Sequence, residues 1–518
     1  MKSSRLFALA LLLPLLGQAQ FRRPAWNTFG ADAQRTGWNQ SETDLNTANV
    51  KNLKLEWSTK LDSPPSEMNN LTVPVERADM ATPRGVKDLI VVAGVSGKLF
   101  VLDGDTGKIA WQKTLETQGT PQRGPSWLCP NGLTATPILG LLPGKGNVVF
   151  VLAGDGRLHA FNLVSGEDML PPTPFVPAFA KMWSLNLVNN VLYTTTSQGC
   201  NGVKSGVYSL DLADPAHKVN HFTVSVSGAG IWGRAGAAVT ADNSKVIVET
   251  GDGPYDPAQG NYSDSVLAFS AKDLKLEDYF TPPNRAWITK KDLDMGSISP
   301  VVFPFKNWEL AAASGKEGVI FLLDTKSLGG ADHRTPLWRS PRFTNDEVNF
   351  ATKGFWGAFS TWEDKAGTRW LYAPAWGPPS AEMKFPAQYG ATPEGSVMAF
   401  KVEQKGEKPV LTPAWNSVNM NVPTPVIIAN GVVYALADGD YAVQFGPNGN
   451  LLNSQARREK TGHAILYALD ATTGKVLYSS GDTIRSFSHF SGFSMAGGRI
   501  YVGTYDGTVY AFGLGLQQ

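Results

Sequence analysis

The chain reads as all-β: one eight-bladed β-propeller of four-stranded antiparallel blades, its ring closed by an N-terminal strand in the C-terminal blade. Three observations predict this. A short strand of the form Val-Tyr-Ala-Leu-Asp returns eight times, a second apolar strand precedes each copy, and the last copy has no outer strand after it. Strand-and-turn units repeated every few tens of residues point to radial repetition of a small sheet.

The clearest copies are Lys98-Leu99-Phe100-Val101-Leu102-Asp103, Arg157-Leu158-His159-Ala160-Phe161-Asn162, Val319-Ile320-Phe321-Leu322-Leu323-Asp324 and Ile465-Leu466-Tyr467-Ala468-Leu469-Asp470. A further clear copy ends at Ala511-Phe512, and weaker ones end at Leu210-Asp211, Ala268-Phe269 and Ala399-Phe400. The preceding strands cover 89–93, 148–152, 191–195, 245–249, 309–313, 370–374, 432–436 and 499–503. Most are rich in Val, Ile, Tyr and Leu, as half-buried strands require. Gly97, Gly156 and Gly507 lie in the turns between paired strands, where a hairpin needs positive φ.

Outer strands follow several copies. Thr106-Gly107-Lys108-Ile109-Ala110-Trp111 is the best, and Thr473-Gly474-Lys475-Val476-Leu477-Tyr478 repeats it. The aromatic is placed to lie across the next sheet and fasten blade to blade. Near the start, Leu53-Lys54-Leu55-Glu56-Trp57-Ser58 is an outer strand with no inner strands before it. It complements the bare last copy and would remove the open edges of the ring.

Long insertions at 64–83, 118–137, 225–238, 253–263, 282–299, 341–362 and 378–395 interrupt the period. They are rich in Gly, Pro, Trp and Asn; loops of this length in a compact domain are usually functional or disordered, and the aromatic content argues against disorder. A propeller gathers such loops around one axial channel, so the chemistry-bearing residues in them are candidates for one pocket. These are Trp127, Cys129, Asn131, Cys200, Asn201, Trp232, Arg234, Asp252, Asp292, Asp294, Lys316, Trp356 and His489.

Residues 1–20 have a basic start, an apolar run at 6–16 and a small-residue cleavage site at Gly17-Gln18-Ala19-Gln20. That is the pattern of a signal peptide, so the mature propeller is expected over 21–518, exported to the periplasm or beyond. No later segment reads as a membrane-spanning helix. The net charge of +1 gives no field for nucleic acid. No Gly-x-Gly-x-x-Gly opens a helix and no Cys-x-x-Cys is present, which argues against nicotinamide and structural zinc. His217 and His221 are spaced four apart, but in an extended chain that puts the rings roughly 13 Å apart, too far for one ion.

Three features resemble quinoprotein alcohol dehydrogenases: the Leu-Asp copies that run on into Thr-Gly-Lys; Trp26-Asn27-Thr28-Phe29-Gly30 with Gly37-Trp38-Asn39; and Val248-Glu249-Thr250-Gly251-Asp252-Gly253-Pro254. Asp292-Leu293-Asp294-Met295-Gly296 and Ser314-Gly315-Lys316-Glu317-Gly318 are most similar to the polyvinyl-alcohol dehydrogenase branch, without a haem domain. The resemblance implies pyrroloquinoline quinone (PQQ) and Ca²⁺ in the channel. It also implies oxidation of a small alcohol or sugar by hydride transfer to the quinone, with electrons leaving to an external acceptor.

Residue by residue, it implies that Trp232 in Gly230-Ile231-Trp232-Gly233 stacks on the quinone, Lys316 contacts its carbonyls and Asp252 supplies an oxygen to Ca²⁺. Cys129, Cys200, Asn131 and Trp356 are carried as further cofactor-binding candidates. Two departures stand out. The family's adjacent cysteine pair is here the lone Cys129, and its metal-binding Glu falls near Cys200-Asn201. Both cysteines then map to one end of the channel; a bond across adjacent blades is implied, two separate thiols being the alternative. The family's base follows a Trp directly, whereas Ile288 follows Trp287 here, leaving Asp292 and Asp294 as the nearby acids. A non-catalytic propeller that binds a protein, peptide or glycan in the cell envelope is the alternative reading.

Overall fold

The structure is a computed structural model that describes residues 25–142, 144–489 and 491–515. The expected leader at 1–20 lies outside the described residues. Eight antiparallel sheets of four or more strands follow one another around a ring. In each, the recurrent strand is third from the axis: Lys98–Asp103, Arg157–Asn162, Gly206–Asp211, Val266–Ser270, Val319–Asp324, Gly395–Lys405, Ile465–Asp470 and Thr508–Gly513.

The terminal Asp of the repeat has a local cause. Asp103 Oδ1 accepts from the amides of Asp105 and Thr106 at 2.9 and 3.2 Å, and Asp470 Oδ1 does the same for Thr472 and Thr473. Asn162 serves Val164 and Ser165 in blade 2. A short acceptor on its own turn starts the reversal into the outer strand. A glycine with positive φ ends that turn in each case, at Gly107, Gly166 and Gly474.

An indole from the preceding blade lies against each of these glycines. Trp57, Trp111 and Trp415 pack on Gly107, Gly166 and Gly474. Their Nε1 atoms donate to Gly104 O, Leu163 O and Ala471 O at 2.8, 3.0 and 3.0 Å. The expected aromatic fastening is therefore present. Tyr478 packs into the core between blades 7 and 8.

Closure is as read. Lys54–Lys60 pairs antiparallel with Thr508–Gly513, as the outer strand of blade 8. Arg499 locks it to blade 1: its guanidinium reaches Glu56 at 2.7 Å, Asp88 at 3.2 Å and Asp105 at 3.1 Å.

Residues 25–39 do more than precede the ring. They touch the inner strand, or the residue leading into it, in all eight blades in turn. Ala25 pairs with Arg77 and Asn27 O accepts from Leu139 N. Thr28 Oγ1 donates to Leu185 O, and Ala33 O accepts from Val239 N. Gln34, Thr36 and Gly37 carbonyls accept from Val302, Thr361 and Ile428, and Asn39 donates to Met495 O. Arg35, 1% exposed, donates to Ala237 O, Thr28 Oγ1, Phe29 O and Leu185 O. This segment plugs the axis.

Among the described residues, no helix is long and apolar enough to cross a membrane.

Candidate functional site

Two kinds of connection meet at one end of the ring: loops that pass from one blade to the next, and hairpin turns between second and third strands. They enclose a cavity of ≈ 380 Å³, within the range of small-molecule sites, roughly 300–1,000 Å³. Trp232, Asp292, Asp294 and Trp356 reach it from inter-blade loops; Asp252, Lys316 and Asp440 come from hairpin turns. Because blades are radial, residues far apart in sequence share this wall.

One wall is built on Lys316, only 7% of whose side chain is exposed. Its ammonium lies 2.6 Å from Asp294 Oδ1 and 2.9 Å from Asp292 Oδ1. It also sits 5.4 and 5.3 Å from the Trp232 and Trp356 rings. Trp232 Nε1 donates to Asp294 Oδ2 at 2.9 Å. Both Asp294 oxygens are thus engaged. Burial works against the charge on Lys316, but Asp294 and Asp292 more than offset it and hold the amine above its usual range. Trp232 meets Trp356 edge-on at 5.4 Å, and Trp356 stacks on Trp376 at 4.3 Å.

Asp252, Asp292 and Asp294 each place an oxygen within 4.8 Å of the others. Burial, and then the charges of Asp294 and Asp292, push Asp252 up to about 6. Asp292 is raised by burial, with Lys316 opposing. Behind them, burial and Asp294 raise Asp264 to about 8.

The opposite wall was only partly legible. His489, one of the sequence candidates, bonds through Nδ1 to Asp440 Oδ2 at 2.6 Å. Arg457 reaches the same oxygen at 3.3 Å and lies 5.2 Å from the Trp127 ring. Burial lowers His489 to about 4, so the imidazole is neutral and its Nδ1–H donates to the carboxylate. Burial would raise Asp440, but His489 and Arg457 bring it down to about 2. Lys181, Trp183 and Arg234 complete this side. Asp440 and Arg457 belong to an insertion at 438–464 that sequence reasoning missed. It is polar and lacks the Trp- and Pro-rich composition of the other insertions. The distance between Leu436 and Ile465 was the signal that could have found it.

Cys129 and Cys200 form a disulfide, Cα–Cα 5.5 Å. It ties the loop entering blade 2 to a turn of blade 3, and so holds Trp127 and Leu128 at the cavity wall. Neither cysteine is among the residues that line the cavity. Asn131 does not line the cavity: its amide donates to Arg123 O at 2.7 Å. Asn201 donates to Ala178 O and accepts from Gln122 N at 2.9 Å each. His221 stacks on Tyr208.

The comparisons with known proteins agree with this architecture. Residues 26–174 match the family described as PQQ: Glucose/ethanol/alcohol dehydrogenase, beta-propeller domain. That stretch is the axial plug with blades 1 and 2; the wall around Lys316 lies outside it. A quinohemoprotein alcohol dehydrogenase of Comamonas testosteroni is 30% identical over 148 residues, 29% of this chain and 18% of that protein. Its crystal structure superposes with a TM-score of 0.57 at 16% identity, over 97% of this chain and 82% of that one. A quinohemoprotein alcohol dehydrogenase from Pseudomonas putida HK5 gives 0.59 at 13% identity, over 95% and 81%. A europium-containing methanol dehydrogenase gives 0.59 at 12% identity, over 95% and 98%. The polyvinyl-alcohol branch receives no separate support. In fold and in its N-terminal sequence, this chain is a propeller like those of the PQQ-dependent alcohol dehydrogenases.

Proposed function

We propose that the protein is an exported PQQ-type oxidoreductase that oxidises a small alcohol or sugar in the axial cavity. The observation that carries this is the meeting of Trp232, Asp252, Asp294 and Lys316 in one cavity, from four successive connections of the ring. The residues suit the quinone. It is flat and bears three carboxylates; the cavity offers indole faces at Trp232 and Trp356 and cations at Arg234 and Arg457. Bound there, PQQ would supply a two-electron acceptor for a hydride from the substrate carbon.

The chain's own groups do the rest. Lys316 would offer a bound quinone a positive charge. Asp294, with both oxygens engaged, orients Lys316 and Trp232. Asp292 has about half its side chain exposed and a raised pKa. It is the better base of the two candidates for the substrate hydroxyl proton. For calcium, Asp252 with Asp292 and Asp294 gives hard oxygen donors, of which Lys316 already holds two. The electron acceptor is an external carrier, and the site of action is the periplasm or the exterior.

Titration of the purified protein with PQQ, with and without Ca²⁺, followed by dye reduction on alcohols and aldoses, tests this reading. Saturable micromolar binding and substrate-dependent reduction are expected. Absence of binding would retire it in favour of a propeller that binds a partner on its loop face.

A further inference from the structure

Three oxygens close on the Lys316 ammonium. Asp294 Oδ1 forms an ion pair with it at 2.6 Å, and it donates to Asp292 Oδ1 at 2.9 Å and to Asp292 O at 3.1 Å. Only 7% of the side chain is exposed, and the Trp232 and Trp356 rings lie 5.4 and 5.3 Å from the charge. The backbone is fixed as well. Lys316 N donates to Asp294 O at 3.3 Å, and Lys316 O accepts from Asn345 Nδ2 at 2.6 Å. The hairpin turn lies so close to the inter-blade loop that a Cβ on Gly315 would meet Asp294 O at 2.7 Å.

The family resemblance implies calcium in this place, and Asp252, Asp292 and Asp294 have the donor chemistry for it. Their arrangement does not fit the ion. Calcium gathers about six to eight oxygens at roughly 2.3–2.6 Å. Here Asp294 gives Oδ1 to Lys316 and Oδ2 to Trp232 Nε1 at 2.9 Å, and Asp292 gives Oδ1 to Lys316. Of the three acids only Asp252 makes no ion pair with Lys316. An ion on Asp294 Oδ1 would lie within about 5 Å of the ammonium, charge against like charge. Displacing the ammonium would strand a buried cation between two indoles, without its partners.

We propose that Lys316 is the resident cation of this carboxylate cluster, its ammonium taking the place of a divalent ion, so that the wild-type site takes no calcium. The three acids are then a socket for a lysine, and the positive charge at this wall is supplied by the chain itself whatever the calcium concentration. The inference stands apart from the quinone reading, because it concerns the protein with no quinone bound.

The test is isothermal titration calorimetry of the folded, quinone-free full-length chain with CaCl₂, on the wild type and on Lys316→Met. The wild type is expected to show no saturable binding below about 1 mM, the weak end of calcium sites. Lys316→Met keeps the bulk of the side chain and removes its charge. It leaves the carboxylates without their cation and should bind Ca²⁺ at least about ten-fold more tightly than the wild type. Adding Asp292→Asn to Lys316→Met should abolish that binding. Saturable micromolar binding by the wild type overturns the proposal. So does a folded Lys316→Met that binds no more tightly than the wild type, or binding that survives Asp292→Asn and therefore lies elsewhere. Lys316→Gln replaces Lys316→Met if the latter does not fold; should neither fold, the wild-type titration decides alone. Quinone enters none of these readouts, so their outcome is independent of the quinone titration.

Discussion

Single residues set the chemistry of the cavity, and two of them give direct predictions. In the proposed function Asp292 is the base: it too binds Lys316 but has about half its side chain exposed, whereas Asp294 spends both oxygens on Lys316 and Trp232. Asp292→Asn should lower substrate-dependent dye reduction by about 10²-fold or more, the scale of a lost general base. Quinone affinity should change only a few-fold, as read by direct titration. Equal losses in both would place Asp292 in binding instead. Asp264 carries the second prediction. Its folded pKa is raised to about 8, so the native state keeps a proton that the unfolded chain releases near 3.8. Stability contributed by that proton falls as pH rises from about 4 and levels off above about 8. Asp264→Asn should gain on the wild type across this window. Urea midpoints at several pH values would show the difference growing toward pH 8; a constant difference would refute it.

At the scale of the element, the unit is a blade and its joint with the next. The repeat's Asp starts the turn, the glycine ends it, and the preceding blade's indole closes over it. Trp111→Ala removes a large aromatic contact and one hydrogen bond to Leu163 O. The expected cost is about 3–5 kcal/mol for a large-to-small change of this kind, measured by chemical denaturation. A loss under about 1 kcal/mol, the worth of the hydrogen bond alone, would mean that the ring is not fastened there. The Leu-Asp-x-x-x-Gly pattern with its aromatic was legible because every part is local. The 438–464 insertion was not, because its Arg457 and Asp440 gain meaning only against Trp127 and His489 from other blades.

For the whole molecule, the axis is the organising feature. Residues 25–39 bond to the inner strands of all eight blades and plug the channel, which makes a cavity out of what would be a pore. Arg35 is the centre of that plug. Its charge is buried, and burial lowers it to about 9 with Asp32 opposing, so its four donations must hold it in place. Arg35→Met would leave their acceptors unmatched and cost about 3 kcal/mol or more. A lower melting temperature with a folded ring would confirm the plug as a stabiliser. An unchanged one would show that the segment merely rests on the blades.

The sequence by itself determined the ring: eight strand pairs, their Asp turns, the docking aromatics and the complementary ends. Each follows from hydrogen bonding and side-chain alternation within a few residues of the motif. It also named most of one cavity wall. Only the tertiary structure decided which of two neighbouring acids stays half exposed, that the cysteines bond, that Asn131 and Asn201 bond elsewhere, and that a second wall stands opposite. Those outcomes depend on distances between blades, set by how the sheets pack around the axis, and no local pattern of residues records them.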